Sequence, residues 1–214
     1  MRVGAFEVPQ PELHDAQTMM RLRHISGAFT ARSLSEIIAP LLLNGAPTSL
    51  RVLDWLVVNY SKKQPVGYLL RDARDGSQFF NLHHSYMAWL HTFRRRLFDP
   101  FRRGPHVYFD TSDGRRVSTT PAQLNFLFWA ITHDVLVFMR EHHALVEKDM
   151  NTTLAAARAA RESGQRAKRA KLVPQDAHAQ GACFAITDGA VRLVFDAADI
   201  RGKDRSRAVT TVER

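Results

Sequence analysis

The feature that most constrains this chain is a set of apolar segments with helical spacing, bounded by helix start and stop signals. The clearest segment begins after Asn81, a preferred N-cap residue, and ends at Asp99-Pro100. Its apolar residues recur at every third or fourth position: Leu82, Tyr86, Trp89, Leu90, Phe93 and Leu97. We therefore predict a helix over about 82–97, one face of which packs against a core.

Earlier in the chain, similar signals predict two more helical segments. A short helix is expected at 15–24, after an N-terminal stretch that contains two prolines. Ser33-Leu34-Ser35-Glu36 has the pattern of a capping box at a helix start. Pro40 predicts a break or kink in that helix, and Asn44-Gly45 is a typical stop signal.

Two longer helices complete the predicted helical core. Thr48 is the expected cap of a helix from Leu50 to about Tyr60, which is apolar around most of its circumference and should be deeply buried. Thr120-Pro121 is an N-cap followed by proline at the first helical position, which predicts a fourth long helix. That helix is expected to pause at Thr132-His133-Asp134 and then to continue.

Strand signals are short and lie close to tight turns. Residues 106–119 alternate apolar and polar positions on both sides of Asp113-Gly114, which predicts a β-hairpin. A second hairpin is expected at Phe184–Val194 around Asp188-Gly189, and a short strand at 66–70.

These elements predict a mainly α fold with small β-hairpins. The expected organisation is an N-terminal arm (1–26), a compact helical domain containing the 106–119 hairpin (27–150), a basic helix or linker (151–180), a C-terminal β-hairpin (181–197) and a charged tail (198–214).

The charge balance indicates a polyanionic partner. The chain has 30 Lys and Arg against 21 Asp and Glu in 214 residues, which gives a formal net charge of +9. Such an excess favours nucleic acid first and an anionic membrane surface second. The alternative is an ordinary basic surface without a dedicated ligand.

The arginines that follow the 82–97 helix are the strongest candidates for phosphate contacts. Residues 81–119 contain no lysine and three aspartates, but seven arginines: Arg94, Arg95, Arg96, Arg102, Arg103, Arg115 and Arg116. The planar guanidinium fork fits phosphate oxygens and guanine edges. The alternative is that these arginines cap a helix C-terminus and form ordinary salt bridges with Asp99 and Asp110.

The element order also admits a winged helix. Three helices followed by a basic hairpin is the order of that fold, in which the third helix enters the major groove and the hairpin lies along the backbone. The long segment between Tyr60 and Asn81 argues against it.

A second basic element lies at 166–171, in a polar segment. Its candidate phosphate contacts are Lys168, Arg169 and Lys171. A short basic cluster of this kind is typical of a nuclear-import signal or a non-specific phosphate tether, and equally of a solvated linker.

Neither a metal, a cofactor nor an enzyme active site is predicted. The histidines include His143 four residues before Glu147, but no third ligand joins them at a recognisable spacing. Cys183 is the single cysteine, so a disulfide within the chain and a thiolate-rich zinc site are excluded. Phosphate-binding glycine loops, nucleophile elbows and zinc-protease motifs are absent from the sequence. We also expect no signal peptide and no membrane span, since the longest apolar runs are short.

Three stretches of the chain resemble a family of uncharacterised proteins encoded by giant nucleocytoplasmic DNA viruses. They are Arg51–Trp55 continuing to Asn59–Lys63, then Phe98–Arg103, and then Thr119-Thr120 with Gln123-Leu124-Asn125-Phe126 and Trp129-Ala130. The resemblance covers about residues 50–150 and implies a setting: a virion, a viral factory or a host nucleus that carries viral DNA.

Together, these observations predict a non-enzymatic nucleic-acid-binding protein that is intracellular, with DNA favoured over RNA and other viral proteins as further partners. The alternative function is a structural or scaffold protein of the virion that uses its basic surface for protein contacts. Convergence of the seven arginines on one face would favour nucleic acid, whereas dispersal among acidic neighbours would favour the scaffold.

Overall fold

The computed structural model describes residues 1–9, 15–70 and 78–162, together with the backbone of two strands, Cys183–Thr187 and Ala190–Val194. The described part is mainly helical with small antiparallel sheets, as the sequence predicts. The predicted 151–180 linker falls largely, and the 198–214 tail wholly, outside the described residues.

The first half of the chain alternates short strands and helices. Two strands, β1 (Arg2–Val3) and β2 (Phe6–Glu7), precede a helix, α1 (Ala16–Ala28). The remaining elements are α2 (Ala31–Ser33), a π-helical turn (Leu34–Ile38), α3 (Ala39–Leu42), α4 (Leu50–Trp55), a second π-helical turn (Leu56–Tyr60) and α5 (Ser61–Lys63).

The second half contains the longer elements. They are β3 (Gly67–Leu69), β4 (Phe79–Asn81), α6 (Leu82–Leu97), β5 (Val107–Asp110), β6 (Arg116–Thr119), α7 (Pro121–Thr132), α8 (Val135–Glu162), β7 (Cys183–Thr187) and β8 (Ala190–Val194). Three predictions are confirmed here: the 82–97 helix, the 106–119 hairpin and the C-terminal hairpin, of which β7 lies beside β3.

The N-terminal residues do not form a free arm, so that prediction is wrong. The strands β1, β2, β5 and β6 form one antiparallel sheet in that order, with Glu7 opposite Tyr108. Phe6 is fully buried and its ring meets the rings of Phe29 and Phe109 edge to face. Burial of this aromatic side chain stabilises the segment on the domain, although the local sequence lacks a strong strand pattern.

Two predicted helix caps lie at neighbouring residues instead. The helical segment after α1 begins at Thr30, whose Oγ1 accepts a hydrogen bond from the Ser33 amide at 3.1 Å, so Ser33 is inside the helix. Ser49 rather than Thr48 caps α4, with its Oγ 3.3 Å from the Val52 amide nitrogen. Both sites offer two hydroxyl residues within a few positions, and the backbone selects the one that is extended.

The core is centred on α7. Its first ten positions are almost all buried, and Trp129 is fully enclosed by the rings of Phe80, Tyr86, Phe98 and Phe126. At Asp134, where φ is 55°, the chain turns into α8, whose axis is bent by 87° from that of α7. Among the described helices, none is by itself long and apolar enough to cross a membrane; α7 and α8 meet that requirement only when counted together as a bent pair.

Candidate nucleic-acid interface

The C-terminal end of α6 has an unusual backbone. Arg94 adopts φ 55° and ψ 173°, a region that residues with a side chain rarely occupy, and this conformation kinks the helix. The kink separates the last turn of α6 from the preceding turns. As a result, Arg95 and Arg96 turn toward the loop that follows the helix, while the side chain of Arg94 remains exposed.

That loop is fastened to the start of α7. The Asp99 amide donates to the Ala122 carbonyl at 3.3 Å, and Gln123 Nε2 donates to the Pro100 carbonyl at 2.8 Å. Thr119 Oγ1 in turn donates to Gln123 Oε1 at 2.9 Å. These bonds hold the loop residues that precede Arg103 beside the N-terminal end of α7.

Three of the predicted arginines therefore line one cleft, which we call the arginine cleft. Arg95, Arg96 and Arg103 surround a cavity of about 210 Å³. Its remaining wall consists of residues at the starts of α1 and α7, at the end of α6 and in the loop that follows: Asp15, Thr18, Leu97, Gly104, Pro105, Thr120, Pro121 and Ala122. The positive end of the 12-residue α7 dipole points to the same cavity.

The arginine cleft combines one uncommitted guanidinium with two paired ones. Within the described residues Arg95 makes no hydrogen bond or ion pair. Arg96 Nη1 lies 3.1 Å from Asp15 Oδ2, and Arg103 Nε lies 3.0 Å from Asp99 Oδ2. The Arg96–Asp15 pair is open to solvent on both sides, so it is worth at most about 1 kcal/mol and can exchange for a phosphate oxygen. In the Arg103–Asp99 pair the arginine is exposed and the carboxylate is buried, so Arg103 can meet a phosphate while it stays bound to Asp99.

A second cavity adjoins the first, and we call it the carboxylate cleft. It has a volume of about 440 Å³ and lies between α4–α5 on one side and α6 on the other. Arg95 and Arg103 line both clefts. The other lining residues are Asp54, Val58, Lys62, His83, Tyr86, Met87, Leu90, Phe98, Asp99, Pro100 and Phe101.

Two carboxylates, Asp54 and Asp99, line this second cleft together with three cationic side chains. Burial raises the pKa of Asp54 to about 6, with a further contribution from the negative charge of Asp99 and opposition from Arg103 and Arg95. Asp99 is buried and already accepts a hydrogen bond from the Phe101 amide in addition to its pair with Arg103. Asp54 accepts no hydrogen bond within the described part of the chain. The Asp54 carboxylate is therefore available to a ligand.

An enclosed arginine supports the same end of α6. The Arg21 guanidinium lies 4.6–5.1 Å from the ring centres of Trp89, Phe93 and Phe128. Its Nε donates to Asn125 Oδ1 at 2.7 Å, and Asn125 Nδ2 donates to the Leu97 carbonyl at 2.6 Å. Burial lowers the pKa of Arg21. This chain of contacts joins α1, α6 and α7 just behind the arginine cleft.

The other predicted phosphate contacts do not join the cleft. Arg102 is exposed beside it, whereas Arg115 pairs with Asp113 at 2.7 Å and Arg116 with Glu7 at 2.9 Å. Arg116 also lies over the Tyr108 ring, 4.8 Å from its centre. The hairpin arginines are thus engaged with their own acidic neighbours. Lys168, Arg169 and Lys171 lie outside the described residues.

Asp54 and Lys62 are not among the site residues predicted from the sequence. A lone carboxylate within the apolar run Leu50–Val58 is a signal that could have identified Asp54, because such a group needs a reason to be half-buried. The described residues contain no group of three side chains suited to a metal ion; His143 and Glu147 form only a pair, with Nδ1 and Oε2 3.7 Å apart.

Comparison with known proteins agrees with the giant-virus resemblance. "Uncharacterized protein L507" of Acanthamoeba polyphaga mimivirus is 33% identical over 118 residues, a match that covers 52% of this chain and 45% of the relative. The chain thus spans less than half of that relative's length. No solved structure matches. The sequence model of a family of unknown function, DUF7197, matches residues 28–185, which is most of the chain. The chain belongs to the DUF7197 family.

Proposed function

We propose that this protein binds nucleic acid, with the arginine cleft as its principal phosphate site. The observation that supports this proposal most strongly is the convergence of Arg95, Arg96 and Arg103 on one cavity at the start of α7. Arginines distributed at random on a basic surface would not be expected to face one cavity beside a helix N-terminus.

The chemistry of the cleft suits a phosphate group. Guanidinium forks donate two hydrogen bonds to phosphate oxygens, and the α7 dipole favours a negative charge at the same point. The cavity of about 210 Å³ is smaller than a typical small-molecule pocket of about 300–1,000 Å³ and matches a single charged group better. Arg94 and Arg102 are exposed and adjoin the lining residues Arg95 and Arg103 in sequence, so they can extend the contact along a phosphate backbone.

DNA in a viral setting is the expected ligand, since the sequence resemblance is to proteins of DNA viruses. A winged-helix mode of docking is a more specific version of this proposal. It would use the solvent-facing side of α6 before the kink, which presents His84, Ala88 and His91, against the major groove. In that mode the β5–β6 hairpin would lie along the backbone and would exchange its Arg115–Asp113 and Arg116–Glu7 pairs for phosphates.

Those same hairpin pairs favour a second candidate function, a structural or scaffold protein of the virion. Four of the seven arginines have an acidic partner: Arg96, Arg103, Arg115 and Arg116. A surface in which charges of both signs alternate is suited to protein partners, because electrostatic complementarity there depends on pattern rather than on net charge.

Binding to DNA by the purified full chain and by two triple variants tests the proposal. In the first variant Arg95, Arg96 and Arg103 become Gln; in the matched control the exposed Arg23, Arg51 and Arg140 become Gln. Both variants lose three positive charges. The loss of affinity in the control therefore measures the effect of net charge, and any further loss in the cleft variant measures the contribution of the site. We expect the cleft variant to bind at least about tenfold more weakly than the control, in line with the strength of charge-assisted contacts.

Purification from the native source with and without nuclease treatment separates the two functions. Nucleic acid that co-purifies with the protein and is lost with the cleft variant supports the proposal. Partner proteins that stay bound after nuclease treatment, with equal DNA affinity in all three chains, would favour the scaffold.

A further inference from the structure

The two clefts adjoin each other, because Arg95 and Arg103 line both. A ligand whose phosphate lies in the arginine cleft can therefore extend its neighbouring part into the carboxylate cleft. In a nucleic-acid strand that neighbouring part is a sugar and its base. The 440 Å³ volume lies within the range of about 300–1,000 Å³ for small-molecule sites, so the cleft has room for a nucleoside.

The lining of the carboxylate cleft suits a base better than a second phosphate. Its walls are apolar at Val58, Met87 and Leu90, and Phe101 offers a half-buried aromatic ring. Bases of unpaired strands bind to such surfaces by stacking. Asp54 and Asp99 also line this cleft and offset two of its three cationic residues, so the cleft favours a second phosphate less than the arginine cleft does, where one aspartate faces three arginines.

We propose that the carboxylate cleft binds an unpaired guanine base of the strand whose phosphate occupies the arginine cleft. This inference rests on the proposed function and adds to it the form of the ligand, single-stranded at the bound position, and the preferred base.

The polar groups of the cleft select guanine. An ionised carboxylate accepts hydrogen bonds and donates none, so Asp54 requires a ligand edge with donors. Guanine presents two adjacent donors, N1–H and the N2 amino group, next to the acceptor O6. Lys62, on the same cleft, is a donor suited to O6. The pairing edges of adenine and cytosine each place one amino donor beside an acceptor nitrogen, and thymine has one N–H between two carbonyls.

The guanine edge becomes available only when the base is unpaired. Watson–Crick pairing uses the same N1, N2 and O6 atoms, and a stacked duplex base cannot enter the cleft without being extruded from the duplex. The proposed site therefore discriminates strand form as well as base.

Fluorescence anisotropy with the full chain tests the proposal on three probes: an oligothymidylate, the same strand with one central guanine, and that strand annealed to its complement. We expect the guanine strand to bind about tenfold more tightly than the oligothymidylate, the discrimination typical of one bidentate contact. Annealing should abolish this advantage. Phe101→Ala should weaken both single strands by about tenfold through the loss of stacking.

Asp54→Asn provides the specific variant and Asp110→Asn the matched control. Both raise the net charge by one and should raise general affinity slightly, so the readout is the guanine-to-thymine affinity ratio within each protein. Asp110 lies on β5 and does not line the cleft. We expect the ratio to fall to about one in Asp54→Asn and to stay near tenfold in Asp110→Asn.

The outcomes that overturn this inference differ from those that overturn the proposed function. Equal binding of the two single strands by the wild-type chain, or an unchanged ratio in Asp54→Asn, would overturn the guanine site while leaving nucleic-acid binding intact. GMP that displaces the guanine strand at equal concentration would contradict a strand ligand. Absence of salt-sensitive binding to every probe would overturn the proposed function itself.

Discussion

Arg96 and Asp15 join two helix ends that are 81 residues apart in the chain. Arg96 Nη1 lies 3.1 Å from Asp15 Oδ2, and Nη2 donates to Gln17 Oε1 at 2.7 Å. Asp15 is also the N-cap of α1, since its Oδ1 accepts from the Thr18 amide at 3.0 Å. The Asp15 carboxylate thus caps a helix and also forms an ion pair with an arginine of the proposed phosphate site.

Asp15→Asn should release Arg96 without uncapping α1. Asparagine is as good an N-cap as aspartate, but it carries no charge to compete with a phosphate. We expect DNA to bind a few-fold more tightly, with a salt slope larger by up to about one contact. Asp110→Asn, which changes net charge equally outside the cleft, serves as the control. An identical effect of the two substitutions would show that only net charge matters.

Asp15 should also contribute to the acid sensitivity of the fold. Hydrogen bonds from Thr18, together with Arg96, lower its pKa from 3.8 to about 2. An acid with a lowered folded-state pKa stabilises the fold above its unfolded pKa and loses that contribution as pH falls. In urea unfolding, the wild type should therefore lose stability relative to Asp15→Asn between about pH 4 and pH 2. Parallel curves for the two proteins over this interval would contradict the assignment.

Asp54→Asn should have the opposite pH dependence. The pKa of Asp54 is raised from 3.8 to about 6, chiefly by burial. An acid with a raised folded-state pKa does not destabilise the fold below about pH 4, where it is protonated in both states. Above about pH 6 it is ionised in both states and destabilises the fold by the full amount. We expect the variant to match the wild type at pH 4 and to be more stable by about 1 kcal/mol at pH 7, a figure reduced for partial solvent exposure. Urea unfolding at the two pH values measures the difference. A constant difference would mean that Asp54 is not held in a desolvating cleft.

Arg94→Gly should relieve backbone strain while removing a phosphate contact. At φ 55° and ψ 173° a residue with a Cβ is strained by about 1–3 kcal/mol, whereas glycine is not. We expect Arg94→Gly to be more stable than Arg94→Ala by about 1 kcal/mol, after the entropic cost of glycine, in thermal unfolding. Both variants should bind DNA equally weakly. Greater stability of the alanine variant would show that the helix is continuous through this position.

Substitution of Trp129 and of Trp55 by alanine should destabilise the fold to different extents, because one ring is fully buried and the other half-buried. Trp129 is fully enclosed, and its Nε1 donates to Ser85 Oγ at 3.1 Å. Trp55 is only half-buried, with Nε1 2.7 Å from Asp149 Oδ2. Trp129→Ala should cost about 3–5 kcal/mol of unfolding free energy and Trp55→Ala clearly less. Equal costs would contradict the difference in burial.

Local signals predicted the elements well where residue type and backbone geometry are directly linked. Asn81 caps α6, and Thr120-Pro121 begins α7, as the sequence indicates. Both depend on hydrogen bonds within one turn, so a single sequence contains the information. The helix from Leu50 to about Tyr60 was expected to be deeply buried, but Trp55 within it is only half-buried, because its depth depends on α8, which packs against α4.

The site depended on contacts that no local pattern encodes. Arg94, Arg95 and Arg96 are adjacent in sequence, yet one is at a kink, one lines two clefts and one is bound by Asp15. The N-terminal strands join the sheet because the Phe6 side chain packs between the rings of Phe29 and Phe109. Such long-range packing overrides weak local preference, and only the folded chain reveals it.

The two basic elements should differ in function. The cleft arginines are held before binding and can set a register on the strand, whereas the 166–171 cluster was predicted to add sequence-independent attraction. Replacing Arg94, Arg95 and Arg96 by Ala should reduce discrimination between strands as well as affinity. Replacing Lys168, Arg169 and Lys171 should weaken all strands about equally. Competition binding with two dissimilar ligands measures both effects, and loss of discrimination in the second variant alone would reverse the assignment.

The salt dependence of single-strand binding tests the central claim most directly. For single strands, each phosphate contact contributes about 0.7 to the slope of the logarithm of affinity against the logarithm of salt concentration. With about five or six contacts, the wild-type slope should be about −4, and the Arg95, Arg96, Arg103→Gln variant should lose about three contacts, or about 2 units of slope. The Arg23, Arg51, Arg140→Gln control should keep nearly the wild-type slope. A flat salt response in the wild type, or equal slopes in the cleft variant and the control, would contradict phosphate binding in the arginine cleft.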